Sequence, residues 1–421
     1  MAHDINSFLK LVEERQDELI EILRDLIKID SQSFNDGTGR EEAVANHLAE
    51  VFKGMGVEPD VFSPLDVGIE SHPDYLDGRH LENRYNCAAV FPGTDHSHRI
   101  LLTGHEDTVT IGDPKLWERD PFGGEVADGK IFGRGSGDDK SGIAVPIYLM
   151  KLMKEAGIQL PYDVVVAGYS DEENGGSNGA LALNLKYPCD EAFNLDGCHN
   201  EIVCGGAGGG IVRVSLVSDD ICDSCATICE AFTIFRDEMA QWAKDRKAEF
   251  ETHDLFAGTI IPDTTVRYTD VRSGWDGSAM GRLETLITFY TTNDEKATRE
   301  QWAEVEKRFN ERAKELHVHI ESWEMITRFF HFVETDTNSK AVKLLQESIK
   351  AVTGETKEPI GMCLSDFPMF TLYGSPTSIT YGCGLAFDEV GGAHQFNEFI
   401  NIKDLVEYAK TIAYFLLNYK F

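Results

Sequence analysis

The sequence is 421 residues long, and because a single hydrophobic core rarely grows beyond about 300 residues, we expect two domains. Its formal net charge is −33, so nucleic acid and anionic membranes are disfavoured as partners. The chain is 42% hydrophobic, and it lacks both a run of about 18 apolar residues and the basic-then-apolar order of a signal peptide. These features predict a cytoplasmic globular protein.

The first half of the chain alternates between predicted helices and predicted strands. Apolar residues recur every three or four positions in the helical segments, whereas the strands are short apolar runs. This alternation predicts an α/β fold with a doubly wound, mainly parallel sheet. In chain order the predicted elements are helices over 5–29 and 40–55, a loop-like stretch over 72–83, strands over 87–91 and 99–104, a helix over 141–156, a strand over 162–170 and a short apolar strand segment that ends at Asp196.

The second half contains a different pattern. A glycine-rich stretch, CGGAGGG at 204–210, is interpreted as a hinge or domain boundary. The order β-α-β-β-α-β follows it, which is typical of a small ferredoxin-like α+β domain. The chain then returns to helices over 339–353 and 401–419, so we interpret the ferredoxin-like part as an inserted domain.

Nine cysteines are scattered along the chain, and this odd number without export signals indicates reduced thiols rather than disulfides. Cys222, Cys225 and Cys229 have the i, i+3, i+7 spacing of one helix face, where they could bind a metal. Because no fourth ligand stands at motif spacing, a buried apolar stripe is the favoured interpretation.

Polar side chains follow three of the predicted strands, at the point where each strand ends. His105 and Asp107 come directly after one strand. Glu172 and Glu173 follow a later strand, and Asp196 ends another. Ligands bind at the carboxyl ends of strands in α/β sheets, so these positions suit chemistry. Taken singly, each motif has an ordinary alternative, such as a surface histidine or a solvated pair of carboxylates.

Two further residues complete the candidate site. Asp138 lies in the turn GRGSGDDKSG, whose glycines allow a tight bend before a helix; a phosphate loop and a simple helix N-cap are the alternatives there. His394 lies near the C-terminus, in GGAHQFNEF. Two histidines and three carboxylates form the donor set that suits Zn²⁺, Mn²⁺ or Co²⁺. A neighbouring carboxylate that is not a ligand can then transfer protons.

Several segments stand in an order that is specific to one enzyme family. They are GHEDTV (104–109), WERDPF (117–122), DGKIFGRGSGDDKSG (128–142), SDEENGG (170–176), NLDG (194–197), LSDF (364–367) and AHQFNEFI (393–400). In these segments the chain resembles the M20 family of metallopeptidases and aminoacylases, the group that contains acetylornithine deacetylase, succinyl-diaminopimelate desuccinylase and glutamate carboxypeptidase.

The resemblance implies a catalytic domain formed by 1–206 and 333–421, and an inserted lid or dimerisation domain over 207–332 through which the chain forms a homo-oligomer. It also implies one or two divalent ions, of Zn, Mn or Co. The implied metal ligands are His105, Asp138, Glu173, Asp196 and His394. The implied catalytic residues are Asp107, which would orient His105, and Glu172, which would be the general base and acid.

The activity implied is hydrolysis of a C–N bond in a small acylamino acid, dipeptide or related amide, through metal-activated water and on a substrate that bears a carboxylate. The alternative is an aminohydrolase that releases ammonia from an activated aromatic amine, as in the nitroanthranilate aminohydrolase branch that is similar to this family. A non-catalytic homologue is a further alternative, and the intact Glu172 and ligand set argue against it.

The sequence departs from the family pattern at three places. The lid segment VSDDICDSC lacks the histidine that stabilises an acyl oxyanion in family members, and this loss favours the aminohydrolase alternative. The arginine expected soon after SDF is also missing, so Arg134 and Arg272 become candidates for binding a substrate carboxylate. Glu106 stands where a small or neutral residue is usual, and it would either add negative charge or face solvent. The remaining lid histidines are His253, His317, His319 and His331.

Overall fold

A computed structural model describes residues 5–219, 224–273 and 281–421. The helices are α1 (Ile5–Glu14), α2 (Gln16–Ile27), α3 (Glu42–Gly54), α4 (Lys140–Glu155), α5 (Asn178–Lys186), α6 (Ser224–Glu251), α7 (Glu295–Arg312), α8 (Lys340–Thr353), α9 (Phe367–Tyr373) and α10 (Ile402–Asn418). The strands are β1 (Pro59–Phe62), β2 (Asn86–Phe91), β3 (Arg99–His105), β4 (Glu125–Ala127), β5 (Lys130–Phe132), β6 (Asp163–Tyr169), β7 (Glu191–Asn194), β8 (Val203–Gly206), β9 (Gly208–Ser218), β10 (Val266–Arg272), β11 (Arg282–Thr291), β12 (Val318–Met325), β13 (Val333–Glu334), β14 (Ile360–Met362), β15 (Thr377–Thr380) and β16 (Phe399–Asn401).

The chain folds into two compact units. Unit 1 comprises Met1–Cys204, Thr335–Pro359 and Met369–Phe421, and unit 2 comprises Gly205–Glu334 and Ile360–Pro368. The division expected from the sequence differs from this one chiefly in the last short segment of unit 2, which the sequence assigned to the catalytic domain. The roles of catalytic domain and lid stay predictions.

The main sheet of unit 1 has the strand order β1-β2-β6-β3-β7-β15. The central pairs β6-β3, β3-β7 and β7-β15 are parallel, whereas β1 and β2 add antiparallel strands at one side. Every residue of β6 is buried, as expected for a strand that is covered on both faces. The predicted α/β fold with a mainly parallel sheet is therefore confirmed.

Unit 2 contains an antiparallel sheet of order β10-β11-β9-β12. Helices α6 and α7 pack on it around a buried aromatic core. This strand order, with the two helices between the strands, is that of a ferredoxin-like domain, so the predicted α+β insertion is also confirmed. The core aromatics include Phe235, Trp242, Phe289, Trp302 and Phe309.

The structure changes two predictions of local structure. The helix expected over 5–29 is two helices, because the backbone leaves the helical conformation at Arg15 (φ −107°, ψ 22°), whose side chain bonds Glu18 and Glu155. The stretch 204–210, interpreted as a hinge or domain boundary, falls mostly in β8 and β9, and the division between the two units lies within it, after Cys204. Glycine is required at Gly209 because its φ is +132° and an added Cβ would clash with the backbone of β11.

Helix α5 is an element that the sequence pattern does not predict. Of its nine residues, Asn178–Asn184 are all buried. A helix that is buried on every side lacks the apolar periodicity by which amphipathic helices are recognised.

No helix within the described ranges combines the length and apolar character needed to cross a membrane. The seven cysteines whose side chains the structure describes are thiols, in agreement with the reduced state expected from the sequence. Cys222 lies outside the described residues, and Cys229 is exposed, so it does not contribute to a buried apolar stripe.

Strand β3 and helix α4 approach each other closely at Gly104. A Cβ at this position would clash with the carboxylate of Asp139 and lie 3.1 Å from the backbone carbonyl carbon of Gly142. Asp139 cannot easily move, because its carboxylate accepts hydrogen bonds from the backbone N–H groups of His105 and Gly142, both at 3.2 Å.

The Gly104→Ala variant is therefore expected to lower the free energy of unfolding by about 1–3 kcal/mol, the usual cost of overpacking. Denaturant unfolding followed by circular dichroism measures it. Gly54→Ala is the matched control, because no atom lies within 4 Å of the added Cβ there. Equal stability of the two variants would show that β3 and α4 can separate at no cost.

Candidate metal centre

The three strand ends named from the sequence meet at one edge of the unit 1 sheet. His105 is the last residue of β3, whose neighbours are the parallel strands β6 and β7. Glu172 and Glu173 follow β6, and Asp196 follows β7. Parallel strands end at the same edge of a sheet, so the topology itself brings these side chains together.

His105 is fully buried and its two ring nitrogens have different partners. Nδ1 lies 2.8 Å from the backbone carbonyl oxygen of Asp107, which can only accept, so Nδ1 carries a proton. Nε2 lies 2.9 Å from Oδ1 of Asp138. The carbonyl contact therefore orients the ring with Nε2 toward the carboxylates.

Asp138 lies between the two imidazoles. Its other oxygen, Oδ2, is 3.3 Å from Nε2 of His394, and the same Nε2 is 3.0 Å from Oε2 of Glu173. The Asp138–Asp139 peptide bond is cis. The two neighbouring aspartates have different contacts, because Asp139 caps α4 while Asp138 contacts both histidines.

Among the described residues, three groups of side chains have donor atoms within 4.8 Å of one another. Asp138 belongs to two of them and His105 to two, so the groups form one continuous cluster. All five ligands expected from the sequence are included, together with the expected base Glu172. The groups are His105, Asp138 and Asp196; His105, Glu172 and Glu173; and Asp138, Glu173 and His394.

The surroundings of the cluster's side chains raise the pKa values of both an imidazole and a carboxylate. Although burial opposes a charged ring, the carboxylates of Glu173 and Asp138 raise the pKa of His394 to about 11. Burial, and then the charge of Asp138, raise the pKa of Asp196 to about 7. Protonated imidazoles thus supply the positive charge that the crowded carboxylates require.

A divalent cation can supply that charge in place of the protons, and the donors fit it. Imidazole and carboxylate donors without thiolate suit Zn²⁺, Mn²⁺ or Co²⁺. The cluster therefore has the donor atoms, the burial and the excess of carboxylates that a metal site requires.

Asp107 has a different set of contacts from the one the sequence suggested. Its carboxylate is 3.7 Å from Nδ1 of His105, which is bonded to the Asp107 carbonyl instead. Oδ1 accepts from the backbone N–H of Glu172 at 3.1 Å, and Oδ2 accepts from that of Glu173 at 3.0 Å. The side chain of Asp107 thus holds the backbone of the two glutamates.

Comparison with known proteins identifies the family of the chain. The family model for Peptidase family M20/M25/M40 matches residues 101–418, which is more than half of the chain. The chain belongs to this family. The family resemblance inferred from the sequence motifs is therefore confirmed, and with it the assignment of the chain as a metallohydrolase of the M20 group.

Individual relatives are distant. The chain is 27% identical over 365 residues to the N-formyl-4-amino-5-aminomethyl-2-methylpyrimidine deformylase of Halalkalibacterium halodurans, covering 80% of this chain and 83% of that one. It is 26% identical over 200 residues to the deformylase of the same name from Bacillus subtilis, covering 47% of this chain but only 42% of the relative's length. The structure of the dipeptidase Dug1p from Saccharomyces cerevisiae is similar over 99% of this chain and 98% of that one, with 16% identity and a TM-score of 0.73, which concerns the fold alone.

These comparisons do not support the aminohydrolase alternative. The two sequence relatives are named deformylases, and neither is named as an aminohydrolase of an aromatic amine. The lid segment that lacks the family histidine includes 220–223, outside the described residues. Within unit 2, His253 lies 3.3 Å from Glu334, and His319 lies 3.8 Å from Asp219.

The structure defines the surroundings of three residues that stand out where the sequence departs from the family pattern, namely Arg134, Arg272 and Glu106. Arg134 is buried and donates to Glu398 at 2.6 Å, so it is not available to bind a substrate carboxylate. Arg272 is exposed and pairs with Asp270. Glu106 does not face solvent but is fully buried, and burial raises its pKa well above the usual range. The expectation of a solvent-facing Glu106 is therefore wrong.

Glu398 is a supporting residue that the sequence did not single out, although it lies in the quoted segment AHQFNEFI. Its buried carboxylate accepts from Arg134 and from the backbone N–H groups of Gly135, Gly137 and Asp138 at 3.0–3.3 Å. It therefore fixes the turn that delivers Asp138. Its position directly after Asn397 carries no signal of this role.

The Glu398→Gln variant is expected to lower the free energy of unfolding by about 3–5 kcal/mol, because it leaves the buried Arg134 without its counter-charge. Weaker metal binding should accompany this loss, since the turn before Asp138 loses its acceptor. Thermal unfolding and metal titration measure the two effects. Glu155→Gln is the control, because it removes an exposed carboxylate that pairs with Arg15. Unchanged stability in Glu398→Gln would contradict the argument.

Proposed function

We propose that this chain hydrolyses the C–N bond of a small acylamino acid, dipeptide or related amide. The observation that carries the proposal is Asp138, whose two carboxylate oxygens face the imidazoles of His105 and His394. A carboxylate placed between two imidazoles at the edge of a parallel sheet would hold a divalent cation together with both histidines. The family membership and the deformylase and peptidase relatives support the same class of reaction.

The residues that would hold one or two divalent ions are proposed from the same cluster. We assign Zn²⁺, Mn²⁺ or Co²⁺ as candidates because the donors are imidazoles and carboxylates. Pairing of two copies through unit 2 remains part of the proposal. The proposed ligands are His105, Asp138, Glu173, Asp196 and His394.

When bound, such ions polarise a substrate carbonyl and lower the pKa of water. In the proposed mechanism Glu172 accepts the proton of the attacking water and passes it to the leaving nitrogen. Asp107 contributes by accepting hydrogen bonds from the backbone N–H groups of Glu172 and Glu173, which sets the direction of both side chains. The carbonyl of Asp107 holds the His105 ring with Nε2 toward the ligand cluster.

The test uses the full chain after removal of metal by a chelator and reconstitution with each candidate ion. Substrates are N-formyl, N-acetyl and N-succinyl amino acids and dipeptides, and the released amine is measured. Turnover that is lost with the chelator and restored by a divalent ion supports the proposal. Absence of turnover with every substrate and every ion would overturn it.

A further inference from the structure

A buried arginine lies behind the proposed general base. Arg84 has no exposed surface, and every nitrogen of its guanidinium has a partner. Nε donates to Glu41 at 2.7 Å, Nη1 contacts Asp171 at 2.7 Å, and Nη2 donates to Ser33 at 3.0 Å and to Oδ2 of Asp107 at 3.4 Å. Arg84 therefore joins the two carboxylates, Asp107 and Asp171, that adjoin Glu172 and Glu173.

A second arginine, Arg79, contacts the same segment of backbone. Arg79 donates through Nε to Asp171 at 2.8 Å and through Nη2 to the backbone carbonyl of Glu173 at 3.2 Å. Asp107 already accepts from the N–H groups of Glu172 and Glu173. Asp107 thus holds the backbone N–H groups of Glu172 and Glu173, and Arg79 holds the backbone carbonyl of Glu173.

The backbone after β6 needs such support. Asp171, Asn174 and Ser177 all have φ between 57° and 64°, a left-handed conformation that costs non-glycine residues free energy. Contacts from outside the segment must therefore hold it. The loop-like stretch 72–83 and the residues just after it deliver both arginines, and this stretch is itself fixed by hydrogen bonds of Leu76 with Asn178.

We propose that Arg84 is a positioning residue for Glu172 and Glu173, acting through Asp107 and Asp171, with Arg79 in the same role on the carbonyl side. The inference rests on the proposed function, because it takes Glu172 as the base and Glu173 as a ligand. The guanidinium suits the position because its planar fork binds several acceptors at fixed angles. A lysine at the same place keeps the charge but cannot contact Glu41, Asp107 and Asp171 together.

The test compares Arg84→Lys, Arg84→Met and Arg79→Met with the wild type. We expect kcat to fall about 10–100-fold with little change in KM, as for other groups that orient ligands. The visible absorption spectrum of the Co²⁺-loaded protein should change as well, because Glu173 would no longer be held in one orientation. The spectrum is independent of turnover, so it tests the positioning role even if the proposed substrates are wrong.

Arg246→Met is the matched control, because Arg246 is a buried arginine of unit 2 that bonds Glu249 and Gln301. It should lose stability while kcat and the Co²⁺ spectrum stay unchanged. Where Arg84→Met does not fold, Arg84→Lys and Arg79→Met give the decision. A wild-type Co²⁺ spectrum and wild-type kcat in both of these would overturn the proposal. Altered spectra without any turnover in the wild type would overturn only the proposed function.

Discussion

The Glu172→Gln variant is expected to lose about 10²–10⁴-fold in kcat, the range that a positioned general base contributes. The amide has nearly the same size as the carboxylate but cannot accept a proton from water at neutral pH. Because Glu172 is not among the five proposed ligands, the variant should keep its full metal content. Steady-state kinetics with the best substrate of the screen, together with metal analysis, measures both quantities.

Two companion variants separate the base from its surroundings. Glu173→Gln should lose metal as well as activity, since Oε2 of Glu173 contacts His394 and Oε1 accepts from the backbone N–H of Val109. Glu118→Gln alters an exposed carboxylate of the same unit and should change neither. Full activity in Glu172→Gln, or a loss of metal that accounts for its inactivity, would remove Glu172 from the role of general base.

The site residues at the strand ends could be predicted because the sequence shows where each strand ends. A short apolar run followed by a polar residue marks the carboxyl end of a strand, and parallel neighbours then bring His105, Glu173 and Asp196 to one edge. Asp138 and His394 come from a turn and from a distant loop, and no periodicity relates them to that edge. Their place in the set depended on the resemblance of the motifs to the M20 family.

The supporting charges could not be predicted, for a physical reason. Arg84, Glu398 and Glu106 are charged types that sequence patterns assign to the surface, yet all three are buried. Burial of a charge becomes acceptable only when partners from other elements surround it, as Glu41 and Asp171 surround Arg84. Those partners are far away in the chain, so local sequence carries no signal of the pairing.

The role of the glycine-rich stretch 204–210 could be predicted only in part from its composition. The division between the units does lie within it, but its glycines allow strands to approach closely rather than forming a hinge loop. A Cβ at Gly208 would lie 2.8 Å from the carbonyl oxygen of Thr291 in β11 and 2.9 Å from the backbone nitrogen of Phe332. A glycine-rich composition is compatible both with a flexible segment and with closely packed strands. Only the contacts with neighbouring strands distinguish the two.

The Asp138→Asn variant is expected to reduce metal affinity more than any other single substitution of the cluster. Asp138 is the residue whose carboxylate contacts both imidazoles, so its neutralisation weakens both halves of the site. Replacing groups that merely support ligands costs about 10–100-fold in affinity, so the loss here should exceed about 100-fold. Metal content after dialysis and calorimetric titration measure the effect.

The metal content of the ligand variants also shows how many ions bind. Asp196 shares a donor group with His105, whereas His394 shares one with Glu173, and Asp138 belongs to both. If two ions bind, Asp196→Asn and His394→Ala should each lose one equivalent, while Asp138→Asn loses both. If one ion binds, a single equivalent is measured in the wild type and each ligand variant weakens that same site. Wild-type metal content in Asp138→Asn would contradict both arrangements, because the two carboxylate oxygens of Asp138 contact both histidines of the proposed site.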